Sequence, residues 1–276
     1  MKKRLFLSAA VLALGTVLTA CGSSGVEQLK QTGIMTDYSS MVTLGTYKGL
    51  EVTVDAVEVT DEDVSVLIDD ILFNYYSLSS QDGNTDYVWD DATASLISDG
   101  KYTTTKEYED YRRQGMLEER KREQEQAYID GVWEKVLESC TFTSIDEAEI
   151  KASAEEYYLQ QKQNYVYYAG YYGYSYEEYL MEKQGMTDEE FHDKCYDYVL
   201  LERKRVMASS AIFFTEKMTL TDAEFSEGVA KLLETYSGYE SSAEFVETFG
   251  EDYVREYLVA KKVDDYLKSV NKMTEK

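Results

Sequence analysis

The sequence predicts an all-α protein, and three observations carry that expectation. Three capping boxes, Thr187-Asp-Glu-Glu190, Thr221-Asp-Ala-Glu224 and Ser241-Ser-Ala-Glu244, each precede a run whose apolar residues recur at helical spacing. The chain contains no proline, so its helices must end at glycines, caps and polar turns. Strand-like alternation is confined to one short stretch, Glu51 to Val54, which reads as a strand or an extended linker.

Taken in order, the chain opens with MKKR and an apolar run over residues 5–17. A predominantly apolar run of 13 residues is too short for a spanning helix and fits the h-region of a signal peptide. Leu18, Thr19, Ala20 and Cys21 resemble the bacterial lipobox, and Gly-Ser-Ser-Gly follows. The expectation is a lipoprotein signal peptide over 1–20, an acylated Cys21 and a flexible tether over 21–41. That would place the protein at the cell membrane, lipid-anchored on its extracytoplasmic face. An ordinary signal peptide with an incidental cysteine is the competing reading.

Residues 42–103 read as a linker strand, one helix and a loop. Thr60-Asp-Glu-Asp gives an acidic first turn, and Val64, Leu67, Ile68, Ile71 and Leu72 recur at helical spacing, so a helix runs from about residue 61 to the high 70s. Residues 80–103 carry turn formers with room for one helical turn. Residues 104–276 form the helical region. Its first helix starts at Thr104 or Thr105 and is charged almost all round between Glu118 and Glu125, as a solvated spacer is. The next starts near Ser144 or Asp146 and breaks at Gly170 or Gly173. A short helix after Ser175 and the runs behind the three capping boxes complete the chain.

Ten of the 26 tyrosines lie between Tyr157 and Tyr179. Tyr157, Tyr158, Tyr165, Tyr168, Tyr171, Tyr172, Tyr174, Tyr176 and Tyr179 cannot share one helical stripe, because adjacent residues point about 100° apart. Half of these rings are expected to pack, against a helix carrying Tyr196, Tyr198 and Leu201, and half to be exposed. Exposed tyrosine offers broad contact area at small entropic cost, with a hydroxyl that tolerates water and protein alike.

Composition excludes several functions. The net charge is −25, and without Lys2, Lys3 and Arg4 the chain carries 25 basic against 53 acidic residues, a net charge of −28. A nucleic-acid partner is therefore disfavoured, and an exposed apolar surface would stay dispersed. His192 is the only histidine, so neither a Ser-His-Asp triad nor a histidine metal cluster can form. Asp82, Asn84 and Asp86 mimic a calcium loop, but Tyr87 and Thr93 stand where its glycine and glutamate belong. No phosphate loop is present, so no nucleotide, metal or other cofactor is expected. Cys140 and Cys195 either pair as a disulfide or are two half-buried thiols.

The order of elements resembles trigger factor, the bacterial folding chaperone. Residues 42–72 are similar to that family's lead-in to its isomerase domain. The likeness resumes with KYTTTKEYEDYRRQ and continues through YLMEKQGMTDEEFHDKCYDYVLLERKRVMASSAIFF and VREYLVAKKVDDYL. The resemblance implies an extended multi-helix, SurA-like chaperone cradle that binds unfolded or nascent exported polypeptides. The family's ribosome-docking domain is replaced by the signal and lipobox. Its isomerase domain is reduced to about 25 residues between Tyr75 and Tyr102, and its proline near Thr143 to Asp146 is missing. Neither ribosome binding nor proline isomerisation is therefore carried over. The implied activity is an ATP-independent holdase at the membrane, with the nine tyrosines as client contacts. A non-catalytic adaptor for one protein partner is the runner-up, and homodimer formation is left open.

Overall fold

The structure, a computed structural model, describes residues 36–79, 88–236 and 238–276. Cys21, the signal segment, most of the tether, and Asp82 to Tyr87 of the calcium-like stretch lie outside them. The elements run β1 (Val42–Thr43), β2 (Glu51–Val54), α1 (Asp61–Ser79), α2 (Asp91–Ile97), α3 (Thr105–Ser139) and β3 (Thr141–Phe142). They continue with α4 (Glu147–Tyr172), α5 (Tyr176–Tyr179) leading into a π turn (Leu180–Gln184), α6 (Asp188–Thr215), α7 (Asp222–Thr235), α8 (Ser242–Phe249), α9 (Glu251–Val270) and β4 (Lys272–Glu275). The fold is all-α with short strands, as the caps and helical periods predict.

Two compact units divide the chain. One takes the described residues through Gly49 together with Trp133–Val270, the other Leu50–Val132 and Asn271–Lys276. In the second, Val64, Ile68 and Leu72 of α1 pack with Ala94 of α2 and Tyr108 of α3. The loop expected to hold one helical turn contains the two turns of α2, because Asp90 caps it by accepting from the Thr93 amide at 2.8 Å. β2 finds its partner at the far end of the sequence, pairing parallel with β4 in the register Glu51 with Lys272. Gly131 of α3 makes room for this pair: a Cβ there would lie 2.6 Å from Val52 Cγ1.

In the first unit, α4 and α6 pack through Ile150, Ala154, Tyr157 and Tyr158 against Phe191, Cys195 and Val199. Asp146 caps α4, and Gly173 ends it at φ 75°, a left-handed conformation that costs glycine little. Among the described residues of this unit, reciprocal capping boxes form at Ser175 with Glu178, Thr187 with Glu190, and Thr221 with Glu224. The box expected at Ser241 forms by half. Ser241 accepts from the Glu244 amide, but the Glu244 carboxylate takes the amide of Glu240 at 2.7 Å instead.

Near the start of this unit's share of α3, buried Trp133 donates its indole N–H to Asp264 of α9 at 2.7 Å, and the Arg205 guanidinium of α6 lies over the Trp133 ring at 5.2 Å. A buried indole whose N–H is satisfied in this way fixes three helices to one another. Cys195 is buried and Cys140 half-buried, and both are free thiols. Burial pushes the Cys195 thiol up to about 12.

Candidate functional site

The aromatic run forms the second half of α4, the turn after it, and α5. Its nine candidate rings divide by what faces them. Tyr157, Tyr158, Tyr176 and Tyr179 are buried, and Tyr165 is half-buried against the same core. Tyr157 stacks on Tyr198 of α6 at 4.9 Å between centroids, and burial pushes its hydroxyl up to about 12. These rings hold the helices together and are not open to a partner. Tyr174 is half-buried beneath Lys183, whose ammonium lies 5.2 Å from the ring.

Tyr158 and Tyr176 have a second task at the first residue of α6. Both donate their hydroxyls to the Asp188 carboxylate, Tyr158 at 2.8 Å. Lys162 donates to the Tyr158 hydroxyl at 2.7 Å and to Asp188 at 3.1 Å, and sits 4.6 Å from the Tyr176 ring centroid. Burial acts to raise the Asp188 pKa, but the bonds from Tyr176, Tyr158 and Lys162 outweigh it and hold the group below the usual carboxylate range. Burial and the adjoining carboxylate both push the Tyr176 hydroxyl up. The knot fastens α4, α5 and α6, with the carboxylate at the positive end of the α6 dipole. Neither Lys162 nor Asp188 was visible as a partner in the sequence, because nothing in the local spacing brings them together.

The open surface consists of Tyr168, Tyr171 and Tyr172 together with Tyr167, a ring that the nine candidates omit. Tyr167 is 71% exposed, Tyr168 48%, Tyr171 75% and Tyr172 58%. Helical phase makes this informative. At about 100° per residue, Tyr168 and Tyr172 lie on the same side of α4 as Ile150, Ala154 and Tyr157. That side is covered by α6 only as far as the start of α6 at Asp188, where Phe191 meets Tyr165 at 5.1 Å. The last two turns of α4 keep the aromatic face and lose the helix that would bury it.

Their rings touch one another. Tyr167 and Tyr168 meet edge to face at 5.6 Å, Tyr171 and Tyr172 at 5.0 Å, and Tyr172 stacks on Tyr179 at 6.3 Å. Val166 and Met181, 50% and 52% exposed, extend the apolar area onto the outer side of α4 and onto the π turn. Contiguous exposed aromatic area with a few aliphatic neighbours makes this face the candidate for an interaction surface. Among the described residues no group of three or more His, Cys, Asp or Glu side chains could hold a metal ion.

Residues 104–269 match the family described as bacterial trigger factor protein (TF) C-terminus, and this span covers more than half of the chain. The chain belongs to the trigger factor family. No curated protein matches it closely. Trigger factor membership makes this a chaperone-type fold, whose family role points to unfolded polypeptides as partners. The exposed tyrosines and the Asp188 knot both fall within the matched trigger factor region.

Proposed function

We propose that the protein is an ATP-independent holdase that binds unfolded exported polypeptides on the extracytoplasmic face of the cell membrane, held there by an acylated Cys21. One observation carries the reading: a helix whose core-facing stripe continues as exposed tyrosine past the end of its partner helix. Such a stripe is costly to leave in water unless something is bound to it part of the time. Tyrosine binds through ring area with few rotamers to freeze, so contacts with many unrelated segments stay weak and reversible. Strong net negative charge keeps the loaded complex dispersed. Release needs no nucleotide and follows from weak affinity and client folding.

The lipobox-like residues before Cys21 support the anchor. Among the described residues no helix is long and apolar enough to cross a membrane. Chain from Gly22 onward, mixed with two unrelated aggregating proteins, is expected to suppress their light scattering at stoichiometric ratio. The variant with Tyr167, Tyr168, Tyr171 and Tyr172 changed to serine is expected to lose that suppression at unchanged helicity. No suppression at any ratio would sink the holdase reading. Labelling with radioactive palmitate in cells, abolished by Cys21→Ser, tests the anchor separately.

A further inference from the structure

The second unit carries an aromatic stack of its own at the start of α3. Tyr102 lies on Tyr111 at 4.9 Å with the rings 24° from parallel, and buried Tyr108 stands 5.8 Å from Tyr102. Tyr111 is 45% exposed. Two cations converge on this open ring. The Lys101 ammonium stands 5.3 Å from the centroids of both Tyr102 and Tyr111, and the Arg112 guanidinium 4.8 Å from Tyr108 and 5.3 Å from Tyr111.

Neither cation has a carboxylate partner among the described residues, although the chain's net charge is −25. The nearby hydrogen bonds explain this. Asp90 and Asp91 accept the amides of Thr93 and Thr105, each at 2.8 Å. Glu107 accepts the amides of Thr103 and Thr104 ahead of α3. Glu109 accepts the Trp89 indole N–H at 2.7 Å, and Asp110 the Lys106 ammonium at 2.8 Å. Asp99, exposed in the turn after α2, makes no ion pair with Lys101. Carboxylates beside the stack are thus engaged in caps and packing, and two charges are left over one ring. Within Arg112, Nη2 donates to the Tyr108 hydroxyl and Nε is enclosed, which leaves Nη1 as the outward nitrogen.

We propose that Lys101, Arg112 and Tyr111 form a docking point for a carboxylate side chain on an otherwise apolar segment of an unfolded polypeptide. The ammonium and the outward guanidinium nitrogen supply donors for the two oxygens of one carboxylate, and the open area of Tyr111 takes the apolar residues beside it. Ring contacts hold both cations in place, so an arriving carboxylate has no internal partner to displace. The acidic chain repels anions at long range, but that field is screened beyond about 8 Å at physiological ionic strength, and recognition works at contact. From the holdase reading the proposal takes only that a polypeptide carries the carboxylate.

The test uses the chain from Gly22 onward and two short labelled peptides, amidated at the carboxyl terminus, that share their leucines and carry either glutamate or glutamine between them. Fluorescence anisotropy is expected to show saturable binding of the glutamate peptide, about fivefold tighter than the glutamine peptide and weakening as salt rises. Lys101→Gln and Arg112→Gln should each reduce that preference about threefold. Lys106→Gln removes the same charge from a lysine already paired with Asp110 and should leave it unchanged. Arg112 packs on two rings, so Trp89 emission checks that the unit stays folded, and exposed Lys101 gives a variant without that burden. Equal binding of the two peptides would overturn the proposal and leave the holdase reading intact. A preference lost equally in Lys106→Gln would reduce it to general charge and overturn it too. Displacement by inorganic phosphate at lower concentration than by acetate would reassign the donors to phosphate and overturn the carboxylate. The preference should survive in the variant with Tyr167, Tyr168, Tyr171 and Tyr172 changed to serine, and its loss there would move the site to that face. No binding of the glutamate peptide also overturns the proposal, while aggregation suppression decides the holdase reading independently.

Discussion

Glu216 closes α6 and gathers three donors from distant parts of the first unit. Its carboxylate accepts from the Tyr47 hydroxyl at 2.6 Å, the Lys48 ammonium at 2.7 Å and the Tyr266 hydroxyl at 2.7 Å. The Lys48 bond contributes most, then Tyr47 and Tyr266, and together they hold the carboxyl at about 2 against an ordinary 4.5. A carboxylate with a depressed folded pKa stabilises the fold fully above its unfolded value and loses that contribution as pH falls through the folded one. The relevant window is therefore pH 4.5 down to about 2.

At about 1.36 kcal/mol per pH unit that window holds an upper limit of about 3 kcal/mol. The Lys48 side chain is 49% exposed, so solvent screening reduces this to about 1–2 kcal/mol. Glu216→Gln should thus cost about 1–2 kcal/mol at pH 7. Urea unfolding read by Trp133 in a Trp89→Phe background reports on this unit alone, since the two tryptophans lie in different units. The gap between parent and variant should shrink to less than half its pH 7 value at pH 3. An equal gap at both pH values would refute the electrostatic reasoning and leave a packing effect.

Tyr176→Phe removes one bond to Asp188 while keeping the ring, and should lower stability by about 1–2 kcal/mol in the same assay, because the carboxylate is charged. Gly131→Ala forces a methyl group against Val52 and should cost about 1–3 kcal/mol, seen as an earlier transition of Trp89 fluorescence in the other unit. Gly170→Ala has the opposite sign. Its added Cβ meets nothing within 4 Å, so thermal unfolding should show a gain of up to about 1 kcal/mol from helix propensity. Asp264→Ala should strip the Trp133 indole of its partner and shift its emission to longer wavelength.

Local chemistry explains what the sequence disclosed. Capping boxes at Thr187 and Thr221 and the acidic turn after Thr60 are short-range signals, and each marks a helix start observed in the structure. The parallel pairing of β2 with β4 was invisible because its partners lie 221 residues apart, and KMTE carries no strong strand pattern. The Ser241 box depended on which of two neighbouring amides Glu244 would take, a choice that spacing alone does not make. Long-range partners such as Trp133 with Asp264, and Glu216 with Tyr47, likewise have no local signature.

The tyrosines show why composition could divide the rings in half without saying which half. Residue type is the same at Tyr157, in the core, and at Tyr168, in water, and helical phase places them on the same side of α4. What separates them is the position at which α6 begins, and that is set by the Thr187 cap and by Gly185, which ends the π turn at φ 65°. The Asp188 knot then pins that starting point against Tyr158 and Tyr176. Buried tyrosines thus determine which of their sequence neighbours stay exposed. It follows that loosening the knot should alter the open surface even though none of its residues is changed. Asp188→Asn should weaken client binding and stability together, whereas the four-serine variant should weaken binding alone. Aggregation suppression measured beside urea unfolding for both variants distinguishes the two, and a four-serine variant that lost stability to the same degree as Asp188→Asn would place those rings among the packing elements.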